Sequence, residues 1–109
     1  MTNSGSYQID GYTFYGSTPK YRLNIEAGIP MSSYDFDVTL VGKNRSITIT
    51  KQEMPRDGEG NFYVCFDTKD LGIGPVKAVV NAYINDSSFP GGVRKEVSVI
   101  DMLTNIISV

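Results

Sequence analysis

SYDFDVTLVG, residues 33–42, alternates large apolar side chains with small polar ones along almost its whole length. The apolar members share one parity and are Tyr34, Phe36, Val38 and Leu40. A period of two residues is the period of a β-strand, and a constant apolar parity indicates that one face of the strand is buried. The stretch therefore predicts a half-buried strand whose opposite face carries Asp35 and Asp37.

The same alternation recurs along the chain, in runs separated by turns that contain Gly or Pro. The further runs cover residues 20–27, 45–51, 61–68, 75–85 and 93–103, and the run at 45–51 follows the opening stretch as the second strand of a hairpin. Val79 and Tyr83 make the run at 75–85 apolar on both faces, which indicates a central strand or an interface. No segment repeats apolar residues at the spacing of a helix. About six or seven such strands predict an all-β fold, an antiparallel β-sandwich of the immunoglobulin-like kind.

Composition restricts the classes of partner. The chain has 109 residues, which fits one domain, and a net charge of −2, so it lacks the basic surface that binds nucleic acid. Its single cysteine, Cys65, cannot form an internal disulfide, which favours folding in a reducing compartment. No apolar run is long enough to span a membrane, and the first residues resemble neither a signal peptide nor a lipid-anchor motif. We expect no nucleic-acid partner and no membrane association.

Catalytic chemistry is restricted by the absence of histidine. Without histidine, neither a Ser-His-Asp or Cys-His arrangement nor a histidine-containing zinc site can be built. Cys65 alternates with core positions in a predicted strand, so we expect a half-buried thiol and not a nucleophile. The sequence predicts a protein that is not an enzyme, with no catalytic, cofactor-binding or metal-binding residues.

Acidic residues provide two alternatives to that prediction. Asp35 and Asp37 lie about 7 Å apart on one strand face, a spacing open to a glycosidase pair or to calcium ligands. Charges on the solvent face of a strand also prevent edge-to-edge pairing, and we favour that role. In the loop at residues 56–61, Asp57 and Glu59 place oxygen atoms as in calcium loops, but the distal glutamate of an EF-hand is missing. We favour a glycine turn there.

Contact surfaces are the remaining candidates. Residues 1–18 form either an N-terminal arm or an edge strand, and residues 19–109 form the sandwich domain. A tyrosine-rich arm can add a strand to a neighbour's sheet. Phe89 occupies a loop tip, where it either anchors an interface or folds back over the end of the sandwich. The predicted partner-contact residues are Tyr7, Tyr12, Phe14, Tyr15, Tyr83 and Phe89.

A second hypothesis assigns the domain to host-surface recognition. Tyr63 and Tyr83 would stack on the sugars of a glycan, and Asp35 or Asp37 would bind sugar hydroxyls. The absence of tryptophan weakens this hypothesis. A protein receptor on the host surface is the other possible ligand of such a module.

Three motifs carry a family resemblance. They are Glu53-Met54, the run from Asp67 to Gly74 and the run from Ala82 to Val97. Together with the strands between them, over residues 20–101, the chain resembles a small β-sandwich module in structural proteins of phages and prophages of Bacteroides-like gut bacteria, including crAss-like phages.

The resemblance implies a non-enzymatic virion protein. A free-standing module of this length is similar to a head auxiliary or decoration protein, which is made in the cytoplasm of the bacterial host and binds the outer surface of the capsid. The implied partners are the major capsid protein and copies of the chain itself. Longer relatives carry the module in baseplate or fibre chains, so the resemblance also allows a tail location. It transfers no catalytic residue.

Overall fold

The computed structural model describes residues 11–109 and shows an all-β domain in that part of the chain. Its seven strands are β1 (Tyr12–Phe14), β2 (Lys20–Leu23), β3 (Asp35–Val41), β4 (Ser46–Thr50), β5 (Phe62–Cys65), β6 (Gly74–Asn85) and β7 (Val93–Ile107). The helical segments are single 3-10 turns at Met31–Ser33, Lys51–Glu53 and Thr68–Asp70. No helix within residues 11–109 is long and apolar enough to cross a membrane.

The strands form two sheets. The larger sheet has the order β1-β7-β6-β3-β4, and β2 pairs with β5 in a separate two-stranded sheet. The pairings within the larger sheet are antiparallel, except that β1 runs parallel to β7, with Tyr12 opposite Asn105. The larger sheet is therefore mixed, and the prediction of purely antiparallel pairing is wrong for this strand. A hairpin forces its strands to be antiparallel, whereas β1 and β7 are separated by the rest of the domain, so no turn fixes their relative direction.

The core lies between the inner faces of the two sheets. Phe36, Val38 and Leu40 of β3 are at most 1% exposed, and every second residue of β6 from Val76 to Ile84 is buried. The smaller sheet contributes Tyr21, Phe62 and Val64 to the same apolar cluster. The Phe36 and Phe62 rings meet edge to face with centroids 5.1 Å apart, which joins the sheets. The buried parities predicted for β3, β5 and β6 are confirmed.

Two strands differ in length from their sequence patterns. β2 ends at Leu23 although the alternation continues to Ala27, because Leu23 is paired with Phe62, the first residue of β5. β7 extends to Ile107, since Gly74 and β1 pair with its last residues. β6 is a central strand of the larger sheet, as its two-sided apolar pattern indicates.

Residues of the three motifs occupy caps, turns and core positions. Glu53 accepts a hydrogen bond from the backbone N–H of Thr50 (2.9 Å) and so completes a capping box. Thr68 is fully buried, and its hydroxyl oxygen accepts from the Gly16 N–H (2.8 Å) and donates to the Ser17 carbonyl (2.9 Å). The motif at Thr68 thereby holds the β1–β2 connection against the turn that leads into β6.

Candidate functional site

The outer face of the larger sheet carries an apolar surface near β7. Val97 and Val99 of β7 are 54% and 53% exposed, and Val79 of β6 is paired directly with Val99. We call these three residues the valine patch. Clustered apolar side chains on an exposed sheet face are typical of interaction surfaces, whereas single ones are common on any protein.

The valine patch adjoins a long free strand edge. β1 covers β7 only from Asn105 to Ile107, and none of the strands in residues 11–109 pairs with the stretch Val93–Met102 on the side away from β6. We call this stretch the open edge. Its outward-facing backbone N–H and C=O groups can pair with a further strand, which most monomeric proteins prevent by covering or charging such edges.

A β-bulge limits the regular part of the open edge. β6 and β7 pair without interruption from Val93 to Ile100, and the register then shifts before Thr104 pairs with Val76. Within the bulge, Leu103 packs against the core whereas Met102 is 58% exposed. The open edge therefore offers eight regularly spaced residues, Val93 to Ile100, to a partner strand.

A groove of about 670 Å³ lies at the end of the sheets near the start of β3. Lys51, which lines it, donates hydrogen bonds to the carbonyls of Tyr34 (2.6 Å) and Ser32 (3.2 Å), and its ammonium lies 5.4 Å from the centre of the Phe36 ring. Burial, and to a smaller extent the negative charge of Glu96, raises the pKa of Tyr34. The lysine therefore closes the end of the core and is already engaged by backbone oxygens.

The two carboxylates of the predicted pair, Asp35 and Asp37, accept hydrogen bonds from different partners. Asp37 accepts from the side-chain amide of Asn81 (2.9 Å) and from the Tyr83 hydroxyl (3.0 Å), while Asp35 accepts from the backbone N–H of Phe36 (3.0 Å). Burial and the bond to Asp37 raise the pKa of Tyr83. Both oxygens of Asp37 are thus occupied in a network that links β3 to β6.

The loop considered for calcium is organised by one carboxylate. Asp57 accepts four hydrogen bonds, from the N–H groups of Glu59 (2.9 Å) and Asn61 (3.0 Å), the Asn61 amide (2.8 Å) and the Tyr63 hydroxyl (3.0 Å). These bonds hold the pKa of Asp57 well below its usual value. In the part of the chain that the structure describes, no group of three or more Cys, Asp or Glu residues could hold a metal ion.

The predicted contact residues lie at separate places. Tyr7 lies outside the described residues. Tyr12 is half-buried beside Phe14, which is 46% exposed, and Tyr15 follows at 39% exposure. These three flank the last residues of β7, whereas Phe89, 44% exposed, lies in the turn before β7 begins. The structure therefore places the two predicted contact regions at opposite ends of β7.

The tyrosines of the glycan hypothesis do not form one platform. Tyr63 belongs to β5 in the smaller sheet, and Tyr83 belongs to β6 in the larger one. Both rings are half-buried, and their hydroxyls are bound to Asp57 and Asp37 respectively. Stacking on sugars needs exposed ring faces, and neither ring is fully exposed. Cys65 is exposed and not half-buried, since it lies at the end of β5 on the face away from the core.

Sequence reasoning missed Val97 and Val99 as candidate contacts. The run 93–103 is apolar on both parities, with Val97 and Val99 on one and Ile100 on the other. Apolar residues on both parities also singled out Val79 in the run at 75–85. The same pattern, applied to the run at 93–103, would have found the valine patch.

Comparison of the chain with protein-family models, with curated proteins and with solved structures finds no match.

Proposed function

We propose that this chain is a non-enzymatic virion structural protein, a head auxiliary or decoration protein that binds the outer surface of the capsid. The observation that carries a binding role is the valine patch on the outer sheet face, where two valines are more than half exposed beside an edge that no strand of residues 11–109 pairs with. The assignment to a phage particle is supported by the resemblance of the three motifs.

The chemistry of the other surfaces is consistent with this role. Asp37 and Asp57, two of the acidic residues considered for catalysis or metal binding, hold the fold together through internal hydrogen bonds. Decoration proteins contact a shell in many copies, so a small apolar surface on each copy is sufficient through multivalency.

We further propose that the fold is an immunoglobulin-like sandwich. The order β7-β6-β3-β4 corresponds to strands G, F, C and C′ of the variable-type immunoglobulin sheet, and the pair β2-β5 corresponds to strands B and E of the opposite sheet. The hydrophobic core between these sheets contains neither a disulfide nor tryptophan, and aromatic contacts such as Phe36–Phe62 join the sheets instead.

Incorporation into particles tests the proposed function. The tagged chain is expressed in the host during infection, and DNA-filled particles are purified on a density gradient and labelled with gold against the tag. We expect the chain to sediment with the particles and the gold to lie over heads. A chain that stays at the top of the gradient would contradict a virion role, and gold confined to tails would contradict the head assignment.

A pair of variants connects this result to the valine patch. Val97→Lys combined with Val99→Lys should lower the amount of chain per particle at least about tenfold, which corresponds to about 1.4 kcal/mol. Ile73→Lys is the matched control, because Ile73 is equally exposed (52%) but precedes Gly74, at the end of β6 remote from the patch. Equal incorporation of both variants would remove the patch from the contact.

A further inference from the structure

The open edge has a charge pattern that is complementary to itself. Its outer face carries Lys95, Val97 and Val99 in sequence, and the exposed Asp101 follows the last regularly paired residue, Ile100, so opposite charges flank the valines. Lys95 pairs with Tyr83, and Val99 pairs with Val79 in β6, so regular pairing fixes the outward positions of Lys95 and Val99, while Asp101 lies at the start of the bulge. When such a strand pairs with a second copy that runs in the opposite direction, the Lys95 end of each copy lies opposite the Asp101 end of the other.

Symmetry restricts how two copies can meet. Two antiparallel copies of β7 that form one continuous sheet are related by a two-fold axis perpendicular to that sheet. This axis keeps the outer face of each copy on the same side, so outward residues pair only with outward residues. The axis therefore passes midway between one residue of β7 and the same residue of the second copy.

Of the axis positions Val97, Ser98 and Val99, one brings opposite charges together and also places a small side chain at the axis. With the axis at Ser98, Val97 pairs with the second copy's Val99, and Lys95 lies opposite the position of the second copy's Asp101, one residue beyond the regular part, each contact occurring twice. An axis at Val97 would place Lys95 opposite Val99 and leave both charges without an opposite charge. An axis at Val99 would place Asp101 opposite Val97. The small side chain of Ser98 also permits close approach at the axis.

We propose that the open edge is a homodimer interface, in which β7 pairs antiparallel with β7 of a second copy about a two-fold axis at Ser98. The two five-stranded sheets then form one continuous sheet. The valine patches of the two copies join across the axis, which doubles the apolar surface on the outer face. This inference does not rest on the proposed virion role, since it concerns the isolated chain.

The mass of the full chain in solution gives the first test. The chain has a mass of 12.0 kDa, and sedimentation equilibrium should show a concentration-dependent dimer of twice that mass. A monomer at all concentrations up to about 1 mM, well beyond the range of specific complexes, overturns the proposal.

Charge reversal tests the register. Lys95→Glu places a carboxylate opposite Asp101 at two positions per dimer, and Asp101→Lys places two ammonium groups opposite Lys95. Each single variant should weaken dimerisation about tenfold, since like charges directly opposite destabilise paired strands. The double variant Lys95→Glu with Asp101→Lys restores both pairs and should dimerise within about threefold of the natural chain. Failure of this rescue overturns the Ser98 register.

Disulfide trapping provides an independent readout. In a Cys65→Ser background, Ser98→Cys puts two thiols directly opposite each other, where α-carbons are about 4.5–5.5 Å apart and a disulfide fits. Lys95→Cys is the matched control, because the two copies of position 95 would lie about 20 Å apart. Rapid oxidation to a dimer only with Ser98→Cys supports the proposal. Equal or preferential crosslinking at position 95 overturns it, as does a dimer that neither Ser98→Cys traps nor charge reversal weakens.

Discussion

Gly42 provides a sharp test of how the β3–β4 turn packs. A β-carbon added at this position would lie 2.8 Å from the Leu71 carbonyl oxygen and 3.2 Å from the Arg45 carbonyl oxygen. Both neighbours are backbone atoms, so no side-chain rotation can relieve the contact. The Gly42 N–H also donates to the Arg45 carbonyl (2.7 Å), which fixes the turn in place. Gly42→Ala should therefore destabilise the folded domain.

The expected magnitude follows from two opposing effects. Overpacking in a tight site costs about 1–3 kcal/mol. Replacing glycine by alanine restricts the unfolded chain, which offsets about 0.4–1 kcal/mol of that cost. We expect the free energy of unfolding to fall by about 1.5 kcal/mol. With a urea m-value of about 1.5 kcal/mol per molar, the unfolding midpoint should fall by about 1 M.

Gly58→Ala is the matched control, since it is the same chemical change at a site with no atom within 4 Å and no positive φ. Its midpoint should equal or slightly exceed that of the natural chain. Urea unfolding followed by far-ultraviolet circular dichroism measures all three proteins. If Gly42→Ala and Gly58→Ala have the same midpoint at an unchanged m-value, the close contact between the turn and Leu71 does not exist in solution.

Three further predictions concern buried polar groups and surface chemistry. Thr68→Val removes the acceptor of the Gly16 N–H and one of the two donors to the Ser17 carbonyl, which still accepts from the Thr68 backbone N–H. It should lower the free energy of unfolding by about 2 kcal/mol, whereas Thr48→Val, at an exposed threonine pair, should change it by less than about 0.5 kcal/mol; equal effects in urea unfolding would contradict this role of Thr68. The lowered pKa of Asp57 keeps its carboxylate charged in the folded state, so its stabilising contribution is present above the unfolded pKa of about 3.9 and is lost as the pH falls below that value. The urea midpoint of Asp57→Asn should accordingly fall less between pH 5 and pH 3 than that of the natural chain, and parallel pH profiles would contradict this. Cys65 should react with a thiol reagent in the native protein about as fast as in urea, and strong protection would contradict its exposed position.

The sequence predicted the local features of this fold and missed the non-local ones. Alternation of period two is a property of each strand by itself, so the buried faces of β3, β5 and β6 were correct. The parallel pairing of β1 with β7 depends on strands at opposite ends of the domain, and no pattern within either strand encodes its direction. The end of β2 at Leu23 depends on where its partner β5 begins.

The candidate site was predicted only in part for the same reason. Phe14 and Phe89 are exposed as aromatic residues in an arm or a loop are expected to be. Exposure of Val97 and Val99 depends instead on what packs on the outer face of the larger sheet, which no pattern within β7 encodes. The hydrogen bond from the Tyr63 hydroxyl to Asp57 crosses from a strand into a loop, so no pattern within the strand indicates that this ring is restrained.

The distribution of charge along β7 distinguishes an edge that avoids pairing from one that selects a register. A strand that only needs protection from pairing carries a charge near its middle, because a charge there disrupts every register. The open edge instead has its charges before Val97 and after Ile100, at Arg94, Lys95, Glu96 and Asp101, and the four residues between them are uncharged. Charges at the ends leave the centre free to pair, and they penalise any shift that removes Lys95 from Asp101 of a second copy. The pattern therefore favours one defined partner over indiscriminate association.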